Sequence, residues 1–218
     1  MLEALAGGAV GSVAAAPHTP RALDADVADH LFVATPGALH SASVGARAHS
    51  VDPTRRLFEA TGGEKHGDAN TATAYDMAVL ATSAQLLGAG ERLLADSVTY
   101  VKQRKQFGRE IGSYQAVKHQ LADVRIALDF ARPLVHGAAL APANAPADRA
   151  RAVSAAKVAC ADAAYLASRT GLQVHGAIGY TEEFDLSVWI TKVRALVTAW
   201  GTPAFHRGRI LDDLVGSL

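Results

Sequence analysis

Arg104-Lys105-Gln106-Phe107-Gly108-Arg109-Glu110-Ile111-Gly112-Ser113 interrupts a chain whose apolar residues follow a helical period on both sides of it. Upstream, Leu80, Leu87, Leu94, Val98 and Val101 recur at seven, seven, four and three residues, one stripe of a long helix predicted to end near Gln106, before Gly108. Downstream, Ser113 is a plausible N-cap for a second helix with Val117, Leu121, Val124 and Leu128 on one face. The interrupting stretch has two readings. An arginine beside the last carbonyls and a glycine cap is how an ordinary helix ends. An arginine fork next to an aromatic at a turn also suits a ligand with paired oxygens.

Working outward, Pro133 is expected to kink or end the second helix. The run Ala141-Pro142-Ala143-Asn144-Ala145-Pro146 reads as a loop, and a third helix starts at or just after Asp148, carrying Val158, Ala161, Tyr165 and Leu172. After Gly176 to Gly179, Leu186, Ile190, Val193 and Val197 mark a fourth helix. Gly201 and Pro203 break it before a short last helix. Such stripes are first of all core packing, so chemistry is to be sought at helix ends. The expected fold is mainly α, with residues 67–218 forming an antiparallel four-helix bundle.

Residues 1–66 have another texture, with Pro17, Pro20, Pro36 and Pro53 separating short β-type runs. Strands are predicted at 31–35, 46–51 and 57–61, the last ended by Gly62-Gly63. Three short strands cannot close a barrel, so this half reads as a partial β-domain. The Gly7-Gly8-Ala9-Val10-Gly11 cluster lacks the Lys and Ser/Thr of a phosphate loop and is expected to be flexible.

With 218 residues, half of them hydrophobic, the chain can bury a core. A formal net charge of zero argues against nucleic acid or an anionic membrane as partner. The single cysteine, Cys160, lies in an alanine-rich run and reads as a core residue; it allows neither an intrachain disulfide nor a cysteine-based metal site. No stretch approaches the roughly 20 apolar residues of a membrane span, and Glu3 stands where an export signal carries a cation. A soluble, cytoplasmic protein is expected.

A second motif, Gln173-Val174-His175-Gly176-Ala177-Ile178-Gly179-Tyr180-Thr181, decides between the two readings. Together, the R-x-x-F-G turn and this Q-x-x-G loop resemble the acyl-CoA dehydrogenase family over roughly residues 28–214. The closest likeness is to the base-less subunit of heteromeric actinobacterial enzymes. The resemblance implies that Arg104, Gln106, Phe107, Gln115, Gln173, Gly176 and Thr202 contact FAD, several of them the FAD of a neighbouring subunit. Glycine suits the closest backbone approach at 176, and Ala177 replaces the family's second glycine. His175 holds a position that varies in the family and is expected to line a subunit contact. Glu182 and Glu183 are read as favouring the positive end of the next helix.

The reaction that the resemblance implies removes an α-proton with a carboxylate within hydrogen-bond reach of that carbon. Most members place a Glu just before the Gly-Thr that here is Gly201-Thr202, where this chain has Trp200; a minority place it at a position matching Ala78. Neither side chain accepts a proton, so no catalytic residue is assigned. Asp76 is the nearest carboxylate, half a turn from Ala78 and on another face. The family's amino-terminal helical domain and the first half of its β-domain have no counterpart in this sequence. The resemblance therefore implies an acyl-CoA dehydrogenase-like flavoprotein subunit, inactive alone, whose catalytic Glu comes from a second subunit in an α2β2 assembly, with a steroid side-chain CoA thioester as the acyl-CoA that the likeness suggests. A non-enzymatic subunit or remnant that binds no flavin is the alternative, and a complete enzyme using Asp76 a third.

Overall fold

The computed structural model describes residues 2–141, 146–181 and 185–216. They divide into two compact units, Met1–Met77 with Ala199–Gly201, and Ala78–Thr198 with Thr202–Leu218.

The first unit opens with α1 (Leu2–Ala6) and continues through β1 (Gly11–Ala14), β2 (Arg21–Leu23), β3 (His30–Thr35), β4 (Ala38–Ala48) and β5 (Leu57–Asp68). The five strands form one sheet in the order β1-β3-β4-β5-β2. Only the β1–β3 pair is parallel. The sheet curls enough for its two edges to meet, the Ser12 hydroxyl donating to the Leu23 carbonyl at 2.6 Å. Ala14, Ala22, Ala25 and Phe58 form its small core, with Leu31, Val33 and Ala60 against them.

Several expectations are corrected here. In the early glycine cluster, Gly7, Gly8 and Ala9 close the end of α1 through backbone bonds to Glu3, Leu5 and Ala4. Gly8 takes φ 103, a conformation open to glycine, and Gly11 starts β1. β5 does not stop at Gly62-Gly63 but runs on to Asp68, because β4 is long enough to pair with it across register shifts. β4 ends at Ala48, and Asp52 then turns the chain, its carboxylate accepting from the Thr54 amide and hydroxyl.

The second unit is a four-helix bundle in which three long helices are joined by two shorter ones. They are α2 (Thr71–Gln103, its first two turns in the first unit), α3 (Gln115–Ala139), α4 (Pro146–His175), α5 (Leu186–Thr198) and α6 (Pro203–Gly216). Of the expected stripe on α2, Leu87 and Val101 are buried and Leu80, Leu94 and Val98 half-buried, and the most deeply buried line is its neighbour. Val79, Leu86 and Leu93 alternate there with Ser83, Gly90 and Ser97. The two serines are tolerated because each hydroxyl donates back to the carbonyl four residues earlier.

Gly90 is the closest approach in the bundle: a Cβ there would stand 2.7 Å from Leu128 Cδ2 and 3.2 Å from Ala164 Cα. α4 answers with small side chains, Ala156, Cys160, Ala163, Ala164 and Ala167, all buried. Tyr165, expected on its core face, is 42% exposed. The Cys160 thiol is pushed up to about 12, chiefly by burial, which leaves it a core group.

α3 continues through Pro133, which is exposed, while beyond it Val135 packs on the core and Ala138 is buried. Burial of those residues outweighs the one lost helical bond. Ser113 is not the N-cap of α3. That place is taken by Tyr114, without a side-chain bond, and the Ser113 hydroxyl donates to Glu110 O in a 3-10 turn. α4 begins at Pro146, two residues before Asp148, since proline is suited to a first helical turn. Residues 142–145 of the expected loop, and Glu182 and Glu183, lie outside the described residues. No described helix is long and apolar enough to cross a membrane.

Candidate functional site

The helix α2 was expected to end near Gln106; it ends at Gln103 because the next residues pair with each other. β6 (Lys105–Gln106) and β7 (Arg109–Glu110) form a two-residue hairpin, Lys105 opposite Glu110 and Gln106 opposite Arg109. Phe107 (φ 51) and Gly108 (φ 80) form its turn, both left-handed, as a mirror-image hairpin turn requires. Asparagine or glycine is the ordinary occupant of the first position. A phenylalanine there is an outlier held by its surroundings.

Those surroundings are specific. The Ile111 amide donates to Arg104 O at 2.8 Å and the Tyr114 hydroxyl to Gln106 O at 3.4 Å, while the Arg109 guanidinium lies 3.9 Å from the Tyr114 ring centre. Gly112 lets the chain press on α2, since a Cβ would meet Val101 O at 3.0 Å. The result is a fixed tip that holds the Phe107 side chain 91% exposed. Arg104, Gln106 and Gln115 are exposed around its base.

The second motif ends α4 and continues as a 3-10 turn over Gly176–Tyr180. Gln173 and Gly176 are exposed, Gly176 takes φ 62, and no atom stands within 4 Å of where its Cβ would be. With Arg169 and Leu172 they line a hollow of ≈ 100 Å³. The two motifs are knitted together by His175, which is not at the surface. It is 4% exposed and stacks on Tyr100, one turn before Arg104, with ring centres 4.2 Å apart. Its Nδ1 is 2.7 Å from Gly171 O; a carbonyl only accepts, so Nδ1 carries the proton.

Burial holds the His175 imidazole below its ordinary value of 6.5, against the raising effects of the Gly171 carbonyl and of Asp96. The unfolded chain therefore takes up the proton first. The stability owed to neutral His175 is complete above about pH 6.5 and is lost as pH falls through the window beneath it. His175→Phe keeps a ring against Tyr100 and is expected to flatten this acid limb. Urea midpoints of both proteins at about pH 7.5 and about pH 5.5 check this, and equal pH slopes would contradict a buried neutral imidazole.

Thr202 stands apart from the other six candidate residues, at the start of α6. Its Oγ1 accepts from the Phe205 amide at 3.2 Å, which leaves its own O–H free in direction to donate outward. Where the sequence lacks a base, the first unit has an aromatic group. Trp200 takes φ 58, its carbonyl accepts from the Tyr75 hydroxyl at 2.6 Å, and the two rings meet edge to face. Indole offers only a donor. Asp76 is 2% exposed. Arg169, which the sequence reading did not single out, also lines the hollow, one turn before Gln173.

The arrangement offers an exposed guanidinium, amide side chains, a bare glycine and an aromatic tip. These suit a diphosphate-bearing ligand lying across the surface, so the residues fit the dinucleotide that the family resemblance implies. Among known proteins, the profile described as "Acyl-CoA dehydrogenase, C-terminal domain" matches residues 67–215. Acyl-CoA dehydrogenase IpdE2 of Mycobacterium tuberculosis is 34% identical over 197 residues, 88% of this chain and 58% of that protein. A 3-sulfinopropanoyl-CoA desulfinase of Cupriavidus necator is 33% identical over 154 residues, 71% of this chain and 38% of that one. The structure of the ChsE4–ChsE5 complex from Mycobacterium tuberculosis superposes with a TM-score of 0.78 at 22% identity, covering 95% of this chain and 63% of that one. The chain thus spans 58% of the length of the mycobacterial IpdE2.

Proposed function

Because the chain belongs to the acyl-CoA dehydrogenase family, we propose that it is the base-less subunit of a hetero-oligomeric flavoprotein acyl-CoA dehydrogenase of the cytoplasm. The observation that carries this reading is the hairpin tip, which holds Phe107 at a left-handed φ and 91% exposed beside Arg104. A strained, solvent-facing aromatic is costly in a chain that has nothing to meet it.

Arg104, Gln106, Phe107 and Gln115 on one side of the Tyr100–His175 stack, and Gln173 and Gly176 on the other, would hold FAD across a subunit contact, with Thr202 donating from the α6 cap. Bound FAD supplies the hydride acceptor for α,β-dehydrogenation of an acyl-CoA thioester. This chain's residues orient and shield that group, and the proton is removed by a Glu of the partner, since Trp200 and Ala78 offer no acceptor. A steroid side-chain CoA thioester is the acyl group we would test first. Residues 1–66 would form the β-domain portion and 67–218 the bundle.

The test is to purify the chain alone and coexpressed with a second acyl-CoA dehydrogenase subunit of its own genome. A colourless chain and a yellow hetero-oligomer are expected, active only as the pair. Arg104→Gln in the pair is expected to weaken FAD binding about tenfold or more, the worth of one charge-assisted phosphate contact. A yellow chain that alone oxidises an acyl-CoA would overturn the missing base, and Asp76→Asn would then show whether Asp76 serves. A protein colourless with every partner would be the non-enzymatic subunit.

A further inference from the structure

Five arginines of the bundle are committed to carboxylates. Arg92 pairs with Asp96, Arg125 with Asp129, Arg132 with Glu91, Arg151 with Asp148 and Asp213, and Arg207 with Asp162. Arg169, like Arg104, has no such pair among the described residues. It is exposed on α4, and among the described residues no hydrogen bond or ion pair engages its guanidinium. It stands four residues before Gln173, on the same face of the helix, and lines the ≈ 100 Å³ hollow with Leu172, Gln173 and Gly176.

We propose that Arg169 is a further binding residue of this site, its guanidinium fork taking the diphosphate of an adenine dinucleotide while Gln173 and the bare backbone at Gly176 hold the adjoining part. The inference rests on the flavin reading above. The chemistry follows from the parts. A planar fork matches paired phosphate oxygens, and an unpaired guanidinium has no internal carboxylate to give up when it binds them. The hollow takes a group of phosphate size, not a whole dinucleotide, so the rest of the ligand must lie along the surface towards the hairpin or against a partner subunit. Gly176, at φ 62, adds no side chain to the lining, so a ligand can approach its backbone closely.

FAD and an acyl-CoA both carry a diphosphate, and the experiment separates them. Dissociation constants for FAD and for butyryl-CoA are measured on the coexpressed pair carrying Arg169→Gln or Arg169→Lys, and ADP is titrated into the chain itself. Arg169→Gln is expected to weaken FAD and ADP about tenfold to hundredfold and to leave butyryl-CoA unchanged; Arg169→Lys, with charge but no fork, falls between. The FAD effect should shrink as salt is raised.

FAD binding within twofold of the parent overturns the assignment while the flavin reading stands. Weakened butyryl-CoA with unchanged FAD overturns it in favour of the other diphosphate. If the unsubstituted pair is colourless, the flavin reading has failed. ADP binding by the chain that Arg169→Gln weakens would then keep the subsite as an adenine-nucleotide site, and absent or equal ADP binding would end it.

Discussion

Gly90→Val is expected to lower the unfolding free energy of the chain by about 3 kcal/mol or more. Any side chain at 90 enters the junction of α2, α3 and α4, where a Cβ already lies 2.7 Å from Leu128 Cδ2 and 3.2 Å from the Ala164 backbone. Leu128 can move its methyl, but Ala164 Cα belongs to a helix and can retreat only by separating α4 from α2. Valine's branch then adds to the first clash. Gly88→Ala is the control, since no atom stands within 4 Å of its Cβ position; there the gain in helix propensity is expected to stabilise by about 0.5–1 kcal/mol. Opposite shifts of the urea midpoint for two glycines on one turn would establish that contact and not composition decides. Equal shifts would mean that the three-helix junction is looser than described.

Lys157→Met is expected to cost about 3 kcal/mol, although it removes a buried cation and fills nearly the same volume. The Lys157 side chain is fully buried, and its Nζ donates to Leu196 O and Val197 O at 2.9 and 3.0 Å. These are among the last carbonyls of α5, which have no partner within their own helix and carry its negative dipole end. Methionine leaves them buried and unmet, the direction in which breaking a satisfied polar cluster is costly. Denaturant unfolding of the purified chain measures it. An unchanged midpoint would mean that desolvation of the ammonium had consumed whatever those two bonds contribute.

Much of this architecture was readable beforehand. Seven-residue spacing announced the long helices, and the pairing of the Arg104 and Gln173 motifs announced the family. The expected face of α2 caught Leu87 and Val101 but not the most deeply buried line beside it, because Ser83, Gly90 and Ser97 are small or polar. Apolar periodicity skips such positions, yet serines that bond backward and a glycine at a crossing are well suited to a core. β1 and β2 were missed because the prolines and glycines around them resemble loop chemistry, and short edge strands carry little pattern of their own. The hairpin was misread as a helix end, since Phe107 is an unexpected occupant of its turn and only the bonds from Tyr114 and Ile111 make it tenable. Arg169 was passed over for a different reason: its proposed role rests on the lack of a carboxylate mate among the described residues, which sequence alone does not reveal.

The hairpin between β6 and β7 also bears on how quickly a complex forms. Its left-handed turn, its bond from Tyr114 and the guanidinium over that ring fix the tip within the free chain, so the ordering entropy is spent during folding. Docking then requires no loop rearrangement. The association rate should follow diffusion and charge steering, and differences in affinity among variants at the tip should appear as differences in residence time.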